Sequence, residues 1–212
     1  MNQLATFLTD RLAPGVDLSR PELNELACAV GRDESLWKEY ERHDAEIRQY
    51  QQLYRDPNID VWLICWMHRQ DTGYHDHDRS SGGVYVCRGM LCEDHFHRDE
   101  DGWIRERTNH HEAGGCFDFD AAYIHGVRNE TDTPATSIHV YSPALWRMGH
   151  YEADENGVMR RVAMTYADEL LGAGEKAGGE TYPPGAPPTD FLQKGLAKLA
   201  HLHGKAAKKK PG

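Results

Sequence analysis

The chain has 212 residues, with 34 Asp and Glu against 24 Lys and Arg and a formal net charge of −10. That length allows one domain of the larger kind, which buries roughly 70% of its unfolded surface and needs no disulfide or zinc staple. The acidic balance argues against a nucleic-acid-binding body and disfavours an anionic membrane surface as partner.

The N-terminus, MNQLATFLTDRLAP, has no basic segment and no long apolar run, so no signal peptide is expected. Residues 21 to 31 set Leu23, Leu26, Ala27 and Val30 at helical spacing behind Ser19, a candidate cap. A second helix is expected over Glu34–Tyr54, carrying Trp37, Tyr40, Ile47 and Tyr50, until Asp56-Pro57-Asn58 breaks the chain. From Ile59 the texture changes. VWLICW is β-branched and aromatic, long enough for a buried strand and too short for a helix or a bilayer span. VYVCRG, WIRERT, CFDFD, YIHGV, TSIHVYS and VMRRVAM follow, separated by Gly-Gly, Asp-Gly and Asn-Gly turn signals. Strands this short, at this spacing, describe a mainly β sandwich or barrel. A Gly/Pro-rich loop, GAGEKAGGETYPPGAPP, precedes a short C-terminal helix carrying Leu192, Leu196, Leu199 and Leu202 and a solvated lysine run. The expected organisation is a single domain: a helical part over about 1–56, a barrel over about 57–165, and a loop, helix and tail over 166–212.

The five cysteines, Cys28, Cys65, Cys87, Cys92 and Cys116, are odd in number and form no CxxC pair. Reduced thiols in a cytoplasm fit that pattern better than a disulfide framework. Thirteen histidines are the unusual feature. In a strand, residues i and i+2 share a face, so His75 and His77 point together and can grip one metal ion without backbone strain. His95, His97, His110 and His111 lie among Asp, Glu and Arg, where exposed loop or edge-strand positions explain them.

The segments around His75 and His125 resemble the two motifs of the cupin superfamily. In G(x)5HxH(x)4E(x)6G, Arg69 stands for the opening Gly, Gly82 stands at the Glu position, and Gly89 lies seven residues on. In G(x)5PxG(x)2H(x)3N, Gly114, Asp120, Ala122, His125 and Asn129 keep every interval. The resemblance implies a cupin barrel and a ligand set of His75, His77 and His125. With Gly82 in place of the carboxylate, that set is neutral and leaves the ion its full charge, which favours anionic ligands such as a thiolate and a carboxylate.

A narrower resemblance covers about Val61 to Pro143. Leu63-Ile-Cys65-Trp66 leading into His75-Asp-His77, then His125-Gly-Val-Arg-Asn129 and Ser137-Ile-His139-Val-Tyr141-Ser-Pro143, resemble the cysteine dioxygenase family of thiol dioxygenases. The family implies an iron, Fe(2+), on the three histidines and a Ser137-His139-Tyr141 relay acting in catalysis. It also implies a small thiol and O2 as substrates and a sulfinic acid as product. In some members a Cys is cross-linked to the tyrosine; Gly82 stands at that position, so no cross-link can form. Ser142-Pro143 is the expected cis peptide. Counting from Tyr50, the family's carboxylate-binding arginine falls at Gln52, as in the 3-mercaptopropionate dioxygenases. Arg55 and Arg147 are the arginines that could replace it, since a guanidinium fork suits a carboxylate. For Arg55 a solvated turn charge is an equal reading, and Trp66 and Cys65 read as core. The alternatives are another cupin metalloenzyme, an isomerase or a carbon–carbon-cleaving dioxygenase, and a non-catalytic small-molecule binder. The pattern sets no oligomeric state beyond a monomer or weak dimer.

Overall fold

The computed structural model describes residues 3–98, 100, 104–155 and 158–167. The expected Gly/Pro loop and C-terminal helix lie outside them. Two helices come first, α1 (Gln3–Thr9) and α2 (Arg20–Arg32), followed by two short 3-10 turns, Glu34–Leu36 and Lys38–Tyr40. The strands are β1 (Gln49–Arg55), β2 (Asp60–Trp66), β3 (Tyr74–Asp76), β4 (Ser81–Arg88), β5 (Met90–Arg98) and β6 (Ile104–Glu112). They continue as β7 (Cys116–Phe119), β8 (His125–Arg128), β9 (Ala135–Ser142), β10 (Arg147–Ala153) and β11 (Met159–Tyr166). All pairings are antiparallel, in one sheet ordered β1-β2-β9-β4-β7 and another ordered β11-β10-β3-β8-β5-β6. This is a mainly β architecture of two antiparallel sheets, as expected, with its helices at the N-terminal end.

Strand alternation builds two cores. Val61, Leu63 and Cys65 of β2 and Ile138 and Val140 of β9 face the helices, where Leu23, Leu26, Ala27 and Val30 form the buried stripe of α2. Trp62, Trp66 and Tyr141 on the same two strands face the other sheet and meet Leu91 and Val127. The start of α2 is sealed as its sequence implies: the Ser19 N–H donates to the Glu22 carboxylate at 2.7 Å, with Pro21 in the first turn.

The helix expected over Glu34–Tyr54 does not form. The Asp44 carboxylate accepts from the N–H groups of Glu46 and Ile47, turning the chain, and residues from Gln49 onward pair with β2. Ladder pairing and two-sided burial outweigh the weak helical preference of this segment. Gly114-Gly115 lies in the turn between β6 and β7, but Gly82-Gly83 sits inside β4. There the pair serves approach on both faces. A Cβ on Gly83 would come within 2.5 Å of the Leu23 carbonyl oxygen of α2, and one on Gly82 within 2.2 Å of the Phe119 ring. No helix among the described residues is long and apolar enough to cross a membrane.

Candidate metal centre and its cavity

His75 lies in β3, His77 just beyond it, and His125 opens β8. His75 and His125 are direct cross-strand partners, and the same row continues through His150 on one side and His95 on the other. One donor atom from each of His75, His77 and His125 lies within 4.8 Å of the others, and all three residues are buried. Asp76 points the opposite way, where its carboxylate accepts from the Tyr151 hydroxyl at 2.5 Å, the Gly149 N–H and Arg161. The HxH segment is therefore held by its middle residue.

His75 Nδ1 faces the Gly73 carbonyl at 3.0 Å and His125 Nδ1 faces Glu93 Oε1 at 2.9 Å, so in both rings Nε2 is left over. Both ring nitrogens of His77 are buried and have no partner among the described residues. A buried polar atom without a partner costs about 1–3 kcal/mol; three converging imidazoles with spare nitrogens are what a metal ion would satisfy. Burial, and then the neighbouring histidines, push His75 and His77 well below the usual histidine range, so they hold the neutral form a metal requires. The residues fit a divalent ion.

Phe119 explains Gly82. Gly82 pairs with both Tyr141 and Phe119, and the Phe119 ring occupies the space a side chain at 82 would need while stacking on His77, centroids 4.5 Å apart at 22°. The motif's carboxylate position is filled by an aromatic ring.

Ser137, His139 and Tyr141 alternate along β9, the central strand of its sheet, and are all buried. Trp66 Nε1–H donates to Ser137 Oγ at 2.9 Å, and Ser137 Oγ lies 2.9 Å from His139 Nε2. With the serine oxygen already accepting, its hydrogen is best used on His139 Nε2, which leaves Nδ1–H toward Tyr141 Oη at 3.4 Å. Tyr141 is then free to turn its own hydrogen into the cavity. Burial holds His139 down at about 3 and pushes the Tyr141 phenol well up, so both are neutral. Trp66 is thus core, as expected, and also the anchor of this row. The Ser142-Pro143 peptide is cis.

His75, His125, His139 and Tyr141 share one cavity that opens to solvent. Its walls are largely apolar, with Trp62, Ile64 and Leu145 among them, and its one permanently charged lining residue is Arg48. Arg48 donates through Nη1 to the Asp71 carbonyl and lies over the Trp66 ring at 4.9 Å, while its Nε is buried with no partner among the described residues. Among the described residues no carboxylate lies within ion-pair distance of it.

Gln52, Arg55 and Arg147 do not line this cavity. Gln52 and Arg55 both donate to the fully buried Asp60 carboxylate, at 2.8 and 2.9 Å. Arg147 reaches Asp78 at 3.2 Å. Arg48 was missed because it fell inside the expected helix; in an extended chain it lies two residues before Tyr50, also a lining residue. Glu93 was missed too. His110 is exposed on edge strand β6, as expected, but His95 is buried on β5 inside its sheet, His97 is half-buried there, and His111 reaches Glu93 Oε2 at 3.1 Å. Burial opposes ionisation of Glu93, but hydrogen bonds from His111 and His125 outweigh it and hold the carboxyl at about 2. The five cysteines are all free thiols.

Comparison with known proteins gives a match of residues 7–154 to the family model described as cysteine dioxygenase type I. Curated relatives are cysteine dioxygenase type 1 from Homo sapiens and from Pongo abelii, each 24% identical over 168 residues, covering 74% of this chain and 80% of theirs. Similar solved structures include an uncharacterized conserved protein with a double-stranded β-helix domain from Klebsiella pneumoniae (19% identity, TM-score 0.40, covering 50% of this chain and 85% of that one). Another is a cupin superfamily protein from Desulfitobacterium hafniense (6% identity, TM-score 0.42, covering 50% and 87%).

Proposed function

Because the chain belongs to the cysteine dioxygenase type I family, we propose that it is a thiol dioxygenase acting on a small carboxylated thiol, L-cysteine or a relative such as 3-mercaptopropionate. The reaction adds both atoms of O2 to the sulfur and yields the sulfinic acid. The reading is supported above all by one arrangement: a single cavity lined by His75 and His125 of the three metal-competent histidines, by His139 and Tyr141 of the β9 row, and by Arg48, a half-buried arginine with no ion-pair partner among the described residues.

His75, His77 and His125 would hold a ferrous ion. Such an ion, when bound, would acidify the thiol, bring sulfur and dioxygen together and carry electrons from the sulfur, which is oxidised, to the dioxygen, which is reduced. The protein's own residues do the rest. Arg48 takes the substrate carboxylate through its guanidinium fork, satisfying the buried nitrogen. The walls of Trp62, Ile64 and Leu145 exclude water and so strengthen that contact. Tyr141 offers its O–H into the cavity, and His139, fixed through Ser137 and Trp66, sets the direction of that hydrogen. The neutral state of both groups keeps the proton on the phenol oxygen at working pH.

Oxygen uptake and sulfinate formation, measured on the iron-loaded protein across a panel of thiols, test the proposal. Stoichiometric sulfinate from a carboxylated thiol is expected. No sulfinate from any thiol overturns it and returns the site to another cupin metal chemistry.

A further inference from the structure

We infer that Glu93 is a positioning residue of the metal centre, which fixes the tautomer of His125 and supplies the negative charge that the three-histidine set lacks. The inference rests on the metal reading above and concerns a residue outside the ligand motifs.

Glu93 sits on β5 beside the histidine row and is 2% exposed. A carboxylate this deep in a barrel costs several kcal/mol unless it is paired and hydrogen-bonded. Here every contact is to a donor: His125 Nδ1 at 2.9 Å, His111 Nε2 at 3.1 Å and Asn109 Nδ2 at 3.3 Å. The His111 ring is itself clamped by stacking on Phe117, centroids 4.1 Å apart at 23°. The carboxylate is therefore forked between two imidazoles and cannot swing away from His125.

The three ligands are backed unequally. His125 has a carboxylate behind it, His75 has the neutral Gly73 carbonyl, and His77 has no partner among the described residues. A carboxylate behind a metal-bound imidazole holds the proton on the far nitrogen, aims the near one at the ion and raises its basicity. Phe119 over Gly82 removes the motif's carboxylate from the ligand positions. Glu93 restores a negative charge one residue further back, leaving the coordination positions open for substrate.

The test is a Co(II) titration of the apo-protein, followed by the visible absorption of the bound ion, on wild type, Glu93→Gln, Glu93→Asp and His75→Ala. Glu93→Gln preserves shape and an acceptor oxygen and removes the charge. It is expected to weaken Co(II) binding by roughly 10- to 100-fold and to shift the absorption bands. Glu93→Asp, which keeps the charge, should recover part of the loss. Without any variant, the 15N-histidine-labelled apo-protein should give a low-field Nδ1–H resonance from His125, and its absence overturns the inference. Binding that needs His75 but has the same affinity and bands in Glu93→Gln overturns the inference alone. Equal binding by wild type and His75→Ala overturns the metal reading, and the inference with it.

Discussion

Replacing Arg48 by Gln separates carboxylate recognition from every other job of the cavity. Arg48 donates to the Asp71 carbonyl and packs on Trp66, and its Nε has no partner among the described residues. The glutamine amide can keep the carbonyl contact while the charged fork is lost. A hydrogen bond to a charged group contributes about 1.5–3 kcal/mol. Losing one such contact to the substrate predicts a drop in kcat/KM of roughly 10- to 150-fold. The drop should lie mainly in KM, because the carboxylate is remote from the reacting sulfur and is held equally in ground and transition states. The assay is oxygen uptake with 3-mercaptopropionate, L-cysteine and 2-aminoethanethiol, which carries no carboxylate. Only the first two should suffer; 2-aminoethanethiol should stay within about twofold of its wild-type rate. Arg48→Lys should recover part of the affinity, since an ammonium keeps the charge without the fork. An equal loss on all three thiols would refute the reasoning and make Arg48 a structural residue of the cavity wall.

Gly82→Cys should place its Cβ against the Phe119 ring and destabilise the protein by about 1–3 kcal/mol in a urea titration. Adding Phe119→Ala should make the pair strongly non-additive, and simple additivity would show that the two positions do not compete for space. Tyr141→Phe should keep the melting temperature and the metal content and lower kcat on the order of 10²-fold; unchanged kcat would exclude the hydroxyl from the chemistry. His139 is held neutral by burial, with a folded-state value of about 3 against 6.5 unfolded. A depressed histidine favours the fold fully above 6.5, and that stability is lost as pH falls from 6.5 toward 3, at about 1.4 kcal/mol per pH unit. The urea midpoint of the apo-protein should therefore fall from pH 7 to 5, less steeply in His139→Gln, and identical slopes would contradict the burial argument.

The parts legible in the sequence are those that depend on local periodicity. Ser137, His139 and Tyr141 share a face because a strand repeats every two residues, whatever it packs against. The same rule brought His75 and His77 together, and the interval to His125 completed the set. β2, β7, β8 and β9 were readable as short β-branched or aromatic runs. β1 was not, because QYQQLYR has no strand signature of its own and becomes a strand by pairing with β2. That misassignment hid Arg48, while counting from Tyr50 by resemblance led to Gln52 and to Arg55 nearby, both of which donate to Asp60 and do not line the cavity.

The chain by itself determined the mainly β class, the shared face of Ser137, His139 and Tyr141, and the motif intervals that link His75 and His77 to His125, since each is written in spacings of two residues or in motif intervals. Only the tertiary structure decided what surrounds them. Which residue backs His125, which ring fills the place beside Gly82, and which arginine reaches the cavity all depend on cross-strand register. Glu93 lies 32 positions from His125, and Phe119 lies 37 from Gly82. Contacts at that range are fixed by how the two sheets align over a shared core, and no local pattern encodes that alignment.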